Sequence, residues 1–350
     1  MLRAAAWRCA AFGLGLALLP ALSLAQEVAG GIVTGPAGGT DFAIGEDLAA
    51  VGAACGLRLE VQASAGSVEN MNAVRDRRGV QLGLVQGDVL EYFRTFAGDD
   101  PALGHATEGV RVAFPLHEEE VHVLARREIG GLDDLAGRRV ATGAEGSGTR
   151  VTAGLVLDLA GVEPAERLAL APADALEALL AGEVDAIFEV AGAPVELFRS
   201  DRIDPARFHL LPLADPVLRA VYAPAEVAAG TYPFAPEAVP VVAVRAMLVT
   251  YDYQPGRNPY QAESCALVAE MSHLISTRFD DLKASGHPKW RSVDVRDIPP
   301  GWDVSACVLA GLAPEYRFTC RRPDGTVVEE GGSGDANALF LERACPRMGC

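Results

Sequence analysis

From Gly30 to Pro194 the chain repeats one pattern. A short apolar run enters a turn of Gly, Ser or Thr, and an apolar period of three to four residues follows. Gly30 to Thr34 is such a run and enters Gly35-Pro36-Ala37-Gly38-Gly39-Thr40. Ile44, Leu48 and Val51 then recur at helical spacing. Leu57 to Val61 leads to Ser64-Ala65-Gly66-Ser67, and Val68 to Val74 restarts a helix. Val80 to Val85 ends at Gln86-Gly87-Asp88, and Val89 to Phe93 begins the next helix. Strand–turn–helix repetition predicts a parallel sheet with helices on both faces. Its turns lie at the carboxyl ends of the strands, where open α/β sheets bind ligands.

A second set follows. Val121 to Arg126 reads as a strand, and so does Val140 to Thr142, which enters the turn Gly143 to Thr149. Val151 to Leu159 and Ala173 to Leu180 read as helices, the latter closed by Gly182. Val184 to Val190 is a strand that ends at Ala191-Gly192-Ala193-Pro194. Val239 to Tyr251 is a long apolar strand, and Cys265 to Phe279 a helix. At 350 residues the chain exceeds one ordinary domain, so two lobes are expected. Beyond Pro299 the periodicity fades. Residues 305–350 hold Cys307, Cys320, Cys345 and Cys350 and are rich in Gly, which predicts a disulfide-rich tail with Gly331 to Gly334 as a loop.

Arg3 and Arg8 precede an apolar run from Ala10 to Leu22, and Ser23-Leu24-Ala25 closes it with small residues. This is the pattern of a secretory signal peptide cut after Ala25. The run is shorter than the ~20 residues of a membrane span. Cleavage removes Cys9 and leaves six cysteines, an even number that predicts disulfides in an oxidising compartment. The expected pattern is two bridges inside the tail and Cys55 with Cys265. Loss of Arg3 and Arg8 takes the net charge from −17 to −19. So acidic a chain lacks the basic stripe of a nucleic-acid binder and the charge to dock on anionic lipid.

Glu145-Gly146-Ser147-Gly148-Thr149 lies between a strand and a helix, with helix-capping hydroxyls and glycines that let amides approach a ligand. Helix starts with free N–H groups suit anions. The turns Thr34 to Thr40 and Ser64 to Ser67 share the device, and three of them over two lobes point to a ligand clamped between lobes. No Gly-Lys-Ser/Thr makes a P-loop, and no third Gly completes a dinucleotide fingerprint. His117-Glu118-Glu119-Glu120-Val121-His122 has histidines five apart, unlike HExxH, and reads as a solvated acidic turn. Ser147 lacks the GxSxG frame. No triad, metal site or cofactor motif is expected, and the chain reads as a non-enzyme.

Taken together, several segments resemble the TAXI subgroup of solute receptors of tripartite ATP-independent periplasmic (TRAP) transporters. They are Thr34-Gly35 to Gly39-Thr40, Ala65 to Asn70, Gly83 to Asp88, Phe114 to His122, Asp134 to Val140, Gly146 to Thr149, Gly182 to Ala186 with Val190 to Pro194, Gly230 to Pro233, and Gly286 to Trp290. The resemblance covers about residues 28–302. It implies a type II periplasmic-binding-protein fold, in which two α/β lobes joined by hinge strands close on a ligand, here followed by the cysteine-rich C-terminal extension. The implied division is a signal peptide at 1–25, lobe 1 at 26–120 plus 252–304, hinge strands and lobe 2 at 121–251, and the tail at 305–350.

The resemblance also implies a periplasmic monomer that takes a small carboxylate or amino acid and hands it to the TRAP membrane subunits. The runner-up readings are a ligand sensor of the same fold that feeds a signalling partner, and an exported enzyme. The expected ligand-binding residues are Thr34, Gly35, Phe42, Ser67, Asn70, Gln86, Asp88, Ser147, Thr149, Glu189 and Gly192. Pro36, Asp41 and Phe42 depart from the pattern of many members, which carry a Ser after Thr-Gly and two aromatics after the Gly-rich turn. An anionic Asp41 at the mouth would repel a second carboxylate or favour an amino group.

Overall fold

The computed structural model describes residues 29–331 and 335–348. The expected signal peptide lies outside them. The first half runs β1 (Ala29–Val33), α1 (Thr40–Ala53), β2 (Arg58–Gln62), α2 (Ser67–Asp76), β3 (Val80–Gln86), α3 (Gly87–Phe96), α4 (Pro101–Thr107) and β4 (Val110–Arg126). The second set is β5 (Arg139–Ala141), α5 (Gly148–Ala160), β6 (Glu166–Leu168), α6 (Pro172–Ala181), β7 (Ala186–Ala191), β8 (Phe208–Leu210), α7 (Pro216–Val221) and β9 (Ala223–Val227). Then come β10 (Val239–Tyr251), α8 (Pro259–Thr277), α9 (Phe279–Ser285), α10 (Ala306–Leu312), β11 (Arg317–Arg321), β12 (Val327–Gly331) and α11 (Asp335–Met348).

One sheet has the order β2-β1-β3-β10-β4-β7-β5-β6, with β8 added on β4 and β9 on β10. β1 pairs in parallel with β2 and β3, and β5 with β6 and β7, as crossover helices require. Every residue of β3 is buried, because helices cover both faces. The two long strands β4 and β10 run antiparallel beside each other, from Val110 opposite Tyr251 to Glu120 opposite Ala243. Each serves both halves of the sheet. β3 flanks β10 from Leu82 to Gln86, whereas β7 flanks β4 from Glu120 to Ala125. Two α/β halves joined by a pair of crossing strands form the type II periplasmic-binding-protein fold.

Apolar burial divides at the same place. One core gathers Val121, Leu157, Phe188, Phe198, Tyr232 and Val244. The opposite half is packed around Ile32, Leu84, Phe114, Leu248 and Trp290, with a companion cluster of Val33, Met71 and Val249 on its other face. Among the described residues, no helix is long and apolar enough to cross a membrane.

Two expectations need correction. His117 to His122 is not a solvated turn. β4 begins at Val110, eleven residues earlier than expected, and His117, Glu119, Glu120 and His122 are all buried within it. Gln86 and Lys289 meet Glu119 and Glu120 from elsewhere in the chain, so polarity alone misled. The expected pairing of Cys307, Cys320, Cys55 and Cys265 does not hold either. Cys55 bonds Cys320, and Cys265 bonds Cys307, so both bridges tie the C-terminal segment to the first lobe and neither closes within it. Val308, Leu312, Phe318, Phe340 and Ala344 join the first lobe's core. The extension is thus a helix, a hairpin and a helix laid against that lobe. The side chains of Cys345 and Cys350 lie outside the described residues.

Candidate functional site

A cavity of about 650 Å³ opens between the two halves. The first half supplies the turn from Gly35 to Asp41, residues 64–67, Gln86 and Glu119. The second supplies Gly143, Ala144, Ser147 to Thr149, Ala171 to Ala173, and Glu189 to Ala191. Apart from Glu119, which lies midway along β4, these segments meet because each follows, or lies at the end of, a strand of the shared sheet. The starts of α1, α2, α5 and α6 therefore converge on one space, and their amides bring partial positive charge to it.

The halves touch across this space. Thr40 Oγ1 donates to the Gly192 carbonyl at 2.7 Å. Gln86 Nε2 donates to the Val190 carbonyl at 3.3 Å, and outside the cavity Thr152 Oγ1 donates to Asp88 Oδ2 at 2.7 Å. The Gly146 carbonyl accepts from the amides of Val68 and Glu69 at 3.1 and 3.0 Å, so the second half itself caps α2. Such bonds require the lobes to be closed on each other. Glycine permits the approach: a Cβ on Gly192 would lie 2.8 Å from Thr40 Cγ2.

Ser147 is the N-cap of α5. Its Oγ accepts from the Arg150 amide at 3.1 Å and donates to the Ala144 carbonyl at 2.7 Å. Thr149 Oγ1 accepts from the Val190 amide at 3.2 Å and ties α5 to β7. Both hydroxyls line the cavity, but each already serves the frame of the second half.

The floor is acidic. Asp41 sits in the first turn of α1, with its side chain 23% exposed, while Glu119 on β4 is 2% exposed. Burial pushes the Asp41 carboxyl up to about 6. Burial, then the charge of Asp41, holds Glu119 well above the usual carboxylate range. Burial alone lifts Glu189 to about 8. Behind them lies His117, fully buried, with Nε2 at 3.5 Å from Asp41 Oδ1 and 3.8 Å from Glu119 Oε1. Burial, aided by the positive charge of Lys289, lowers its imidazole to about 3. Gln86 Nε2 donates to Glu119 Oε2 at 2.6 Å and fixes that carboxyl. Lys289 Nζ grips both oxygens of Glu120 at 2.6 and 2.7 Å.

Of the residues expected from sequence, Gly35, Ser67, Gln86, Ser147, Thr149 and Glu189 lie together in the cavity lining. Thr34 and Asn70 are buried beneath it. Asn70 Nδ2 donates to the carbonyls of Thr34 and Leu84, clamping the ends of β1 and β3. Gly192 packs against Thr40, Lys289 and His117, and Phe42 is half-buried outside the lining. Asp88 lines a different cavity of about 530 Å³, beside Tyr222 and Arg245. Sequence reasoning missed Thr40, Glu119 and His117. The available signal was the alternation His117-x-Glu119, which puts both side chains on one face of a strand.

A sequence-family profile described as the NMT1-like family matches residues 32–261. Among solved structures, a protein from Bordetella bronchiseptica RB50 is 14% identical, covering 90% of this chain and 98% of its own, with a TM-score of 0.47. MatC from Rhodopseudomonas palustris with bound malate is 20% identical over 73% of this chain and 88% of its own, with a TM-score of 0.43. The alkanesulfonate-binding protein SsuA from Xanthomonas axonopodis pv. citri bound to MOPS is 15% identical over 81% and 90%, with a TM-score of 0.42.

Proposed function

Given that the chain belongs to the NMT1-like family, we propose that it is a periplasmic solute-binding receptor. It captures a small carboxylate-type ligand between its lobes and delivers it to the membrane component of a TRAP transporter, as the TAXI resemblance implies. The observation that carries this reading is the cavity between the two halves, which the starts of four helices help to line. Its volume falls within the range of small-molecule sites. The same segments that line it also join the lobes, so a ligand held there contacts both and favours closure.

A thermal-shift screen with mono- and dicarboxylates and amino acids tests capture, because a ligand of the folded state alone raises the melting temperature. Scattering with the hit compound then reads compaction. A full screen with no shift would sink the receptor reading. Delivery is tested separately, by adding the loaded protein to vesicles that carry TRAP membrane subunits. Solute uptake that ignores the protein counts against a transporter partner.

A further inference from the structure

We propose that Asp41, His117 and Glu119 form a site for one divalent metal ion on the floor of the cleft, which the bound solute completes. The proposal rests on the receptor reading for its last clause only. Asp41 Oδ1, His117 Nε2 and Glu119 Oε1 face one another, all within 4.8 Å. Their separations from the imidazole nitrogen are 3.5 and 3.8 Å. Ligand atoms ~2.0–2.2 Å from a tetrahedral ion lie about 3.3–3.6 Å apart, so small side-chain adjustments suffice to coordinate one.

The buried polar atoms point the same way. His117 is 0% exposed, yet its Nε2 has no hydrogen-bond partner among the described residues; the Asp41 and Glu119 carboxyls share a hydrogen bond, whose proton a bound ion would replace. A buried polar atom without a partner costs free energy that a coordinated ion would recover. Lys289 does not supply the missing positive charge, because its ammonium is engaged by Glu120 and by the Glu118 carbonyl. Around the triad, the outer shell is in place for Glu119, whose second oxygen is held by Gln86. Such partners orient metal ligands.

The local fold explains the convergence. His117 and Glu119 stand two apart on β4 and share a face, while α1 brings Asp41 over them from the first turn. Asp41 and Glu119 border the open cavity, whereas His117 is sealed behind, so a held ion keeps coordination positions toward the solute. One imidazole with two carboxylates suits borderline Zn²⁺, or Mn²⁺, better than Mg²⁺ or Ca²⁺, which favour all-oxygen sites. An ion here also reconciles an acidic floor with an anionic solute: the carboxylate binds the metal rather than facing Asp41 and Glu119.

The test uses untagged full-length protein with intact disulfides, stripped by chelator and titrated with Zn²⁺ or Mn²⁺ alone. Calorimetry and elemental analysis are expected to give one equivalent per chain. Asp41→Asn and His117→Gln should each weaken binding by ~100-fold or more, and Gln86→Ala by about 10–100-fold, the range for lost outer-shell partners. No ion on the wild type, or equal affinity in Asp41→Asn, overturns the site; a preference for Ca²⁺ or Mg²⁺ overturns the ligand-type assignment. Melting curves of the variants establish that they fold. The solute screen repeated in excess chelator separates the two proposals. Solute capture with unchanged affinity there refutes the metal's role and leaves the receptor intact. Metal bound by a protein that takes no solute does the reverse.

Discussion

Gly148 lies so close to Gln86 that a Cβ on the glycine would sit 2.0 Å from Gln86 Oε1. The same Cβ would meet Ser67 Oγ at 2.4 Å. Gln86 cannot simply swing aside, because its amide nitrogen is bonded to Glu119 and to the Val190 carbonyl. The pair therefore measures how tightly the lobes shut: α5 belongs to one half, and Gln86 and Ser67 to the other.

Gly148→Ala should hold the cleft ajar without unfolding either half. Small-angle scattering is expected to give a larger radius of gyration than wild type under saturating solute. Affinity should fall roughly tenfold, since a binding-competent state populated a tenth of the time weakens apparent binding by that factor. A variant as compact and as tight-binding as wild type would show that closure does not use this contact.

Ser147→Ala is expected to act on stability more than on capture. The hydroxyl caps α5 and accepts from the Arg150 amide. Losing an N-cap costs about 1 kcal/mol. Urea unfolding reads the loss directly. A large drop in affinity with unchanged stability would mean that the hydroxyl serves the solute instead.

Lys289→Met should be severe. Glu120 and Lys289 are 11% and 12% exposed, and removing the ammonium leaves a buried carboxylate with no cation, held only by the Ala193 amide at 2.6 Å. Breaking a buried pair from one side costs about 3–5 kcal/mol. Adding Glu120→Gln to Lys289→Met should restore part of that in a double-mutant cycle. If both singles and the double lie within error of wild type in chemical denaturation, the pair contributes nothing.

Asp88 makes stability depend on pH. Burial raises its carboxyl from an ordinary 3.8 to about 6. Between those values the folded protein keeps a proton that the unfolded chain has released, so stability falls as pH rises from about 4 to 6. Asp88→Asn removes that contribution. The stability difference between variant and wild type should grow by about 1–3 kcal/mol from pH 4 to 7. A difference that stays constant across that range would contradict the shifted carboxyl.

Legibility in the sequence followed patterning. β10 is apolar along its length, and its expected ends, Val239 and Tyr251, are those observed. β4 was half-visible, because His117 to Glu120 look like surface residues until Lys289, Arg245 and Gln86 are seen to meet them. The cavity turns at Ser67, Gln86 and Ser147 could be found because a strand followed by Gly, Ser or Thr marks them. Asp41 with His117 could not: the two are brought together by α1 docking on β4, and no local spacing encodes that. Thr34 and Asn70 lie beneath the lining rather than in it. Turn residues that hold the frame look the same in sequence as turn residues that face a solute.

The two disulfides are nested, with Cys265–Cys307 lying inside the span closed by Cys55–Cys320. A chain that emerges from its N-terminus therefore presents Cys55 and Cys265 together before either true partner exists. The first pairing on offer is a wrong one, and Cys307 follows 42 residues behind Cys265. If Cys55 bonds early, only thiol–disulfide exchange can free it. The order of the cysteines thus makes Cys55–Cys265 the earliest bridge the chain can offer, and its first lobe cannot be locked until Cys320 has appeared.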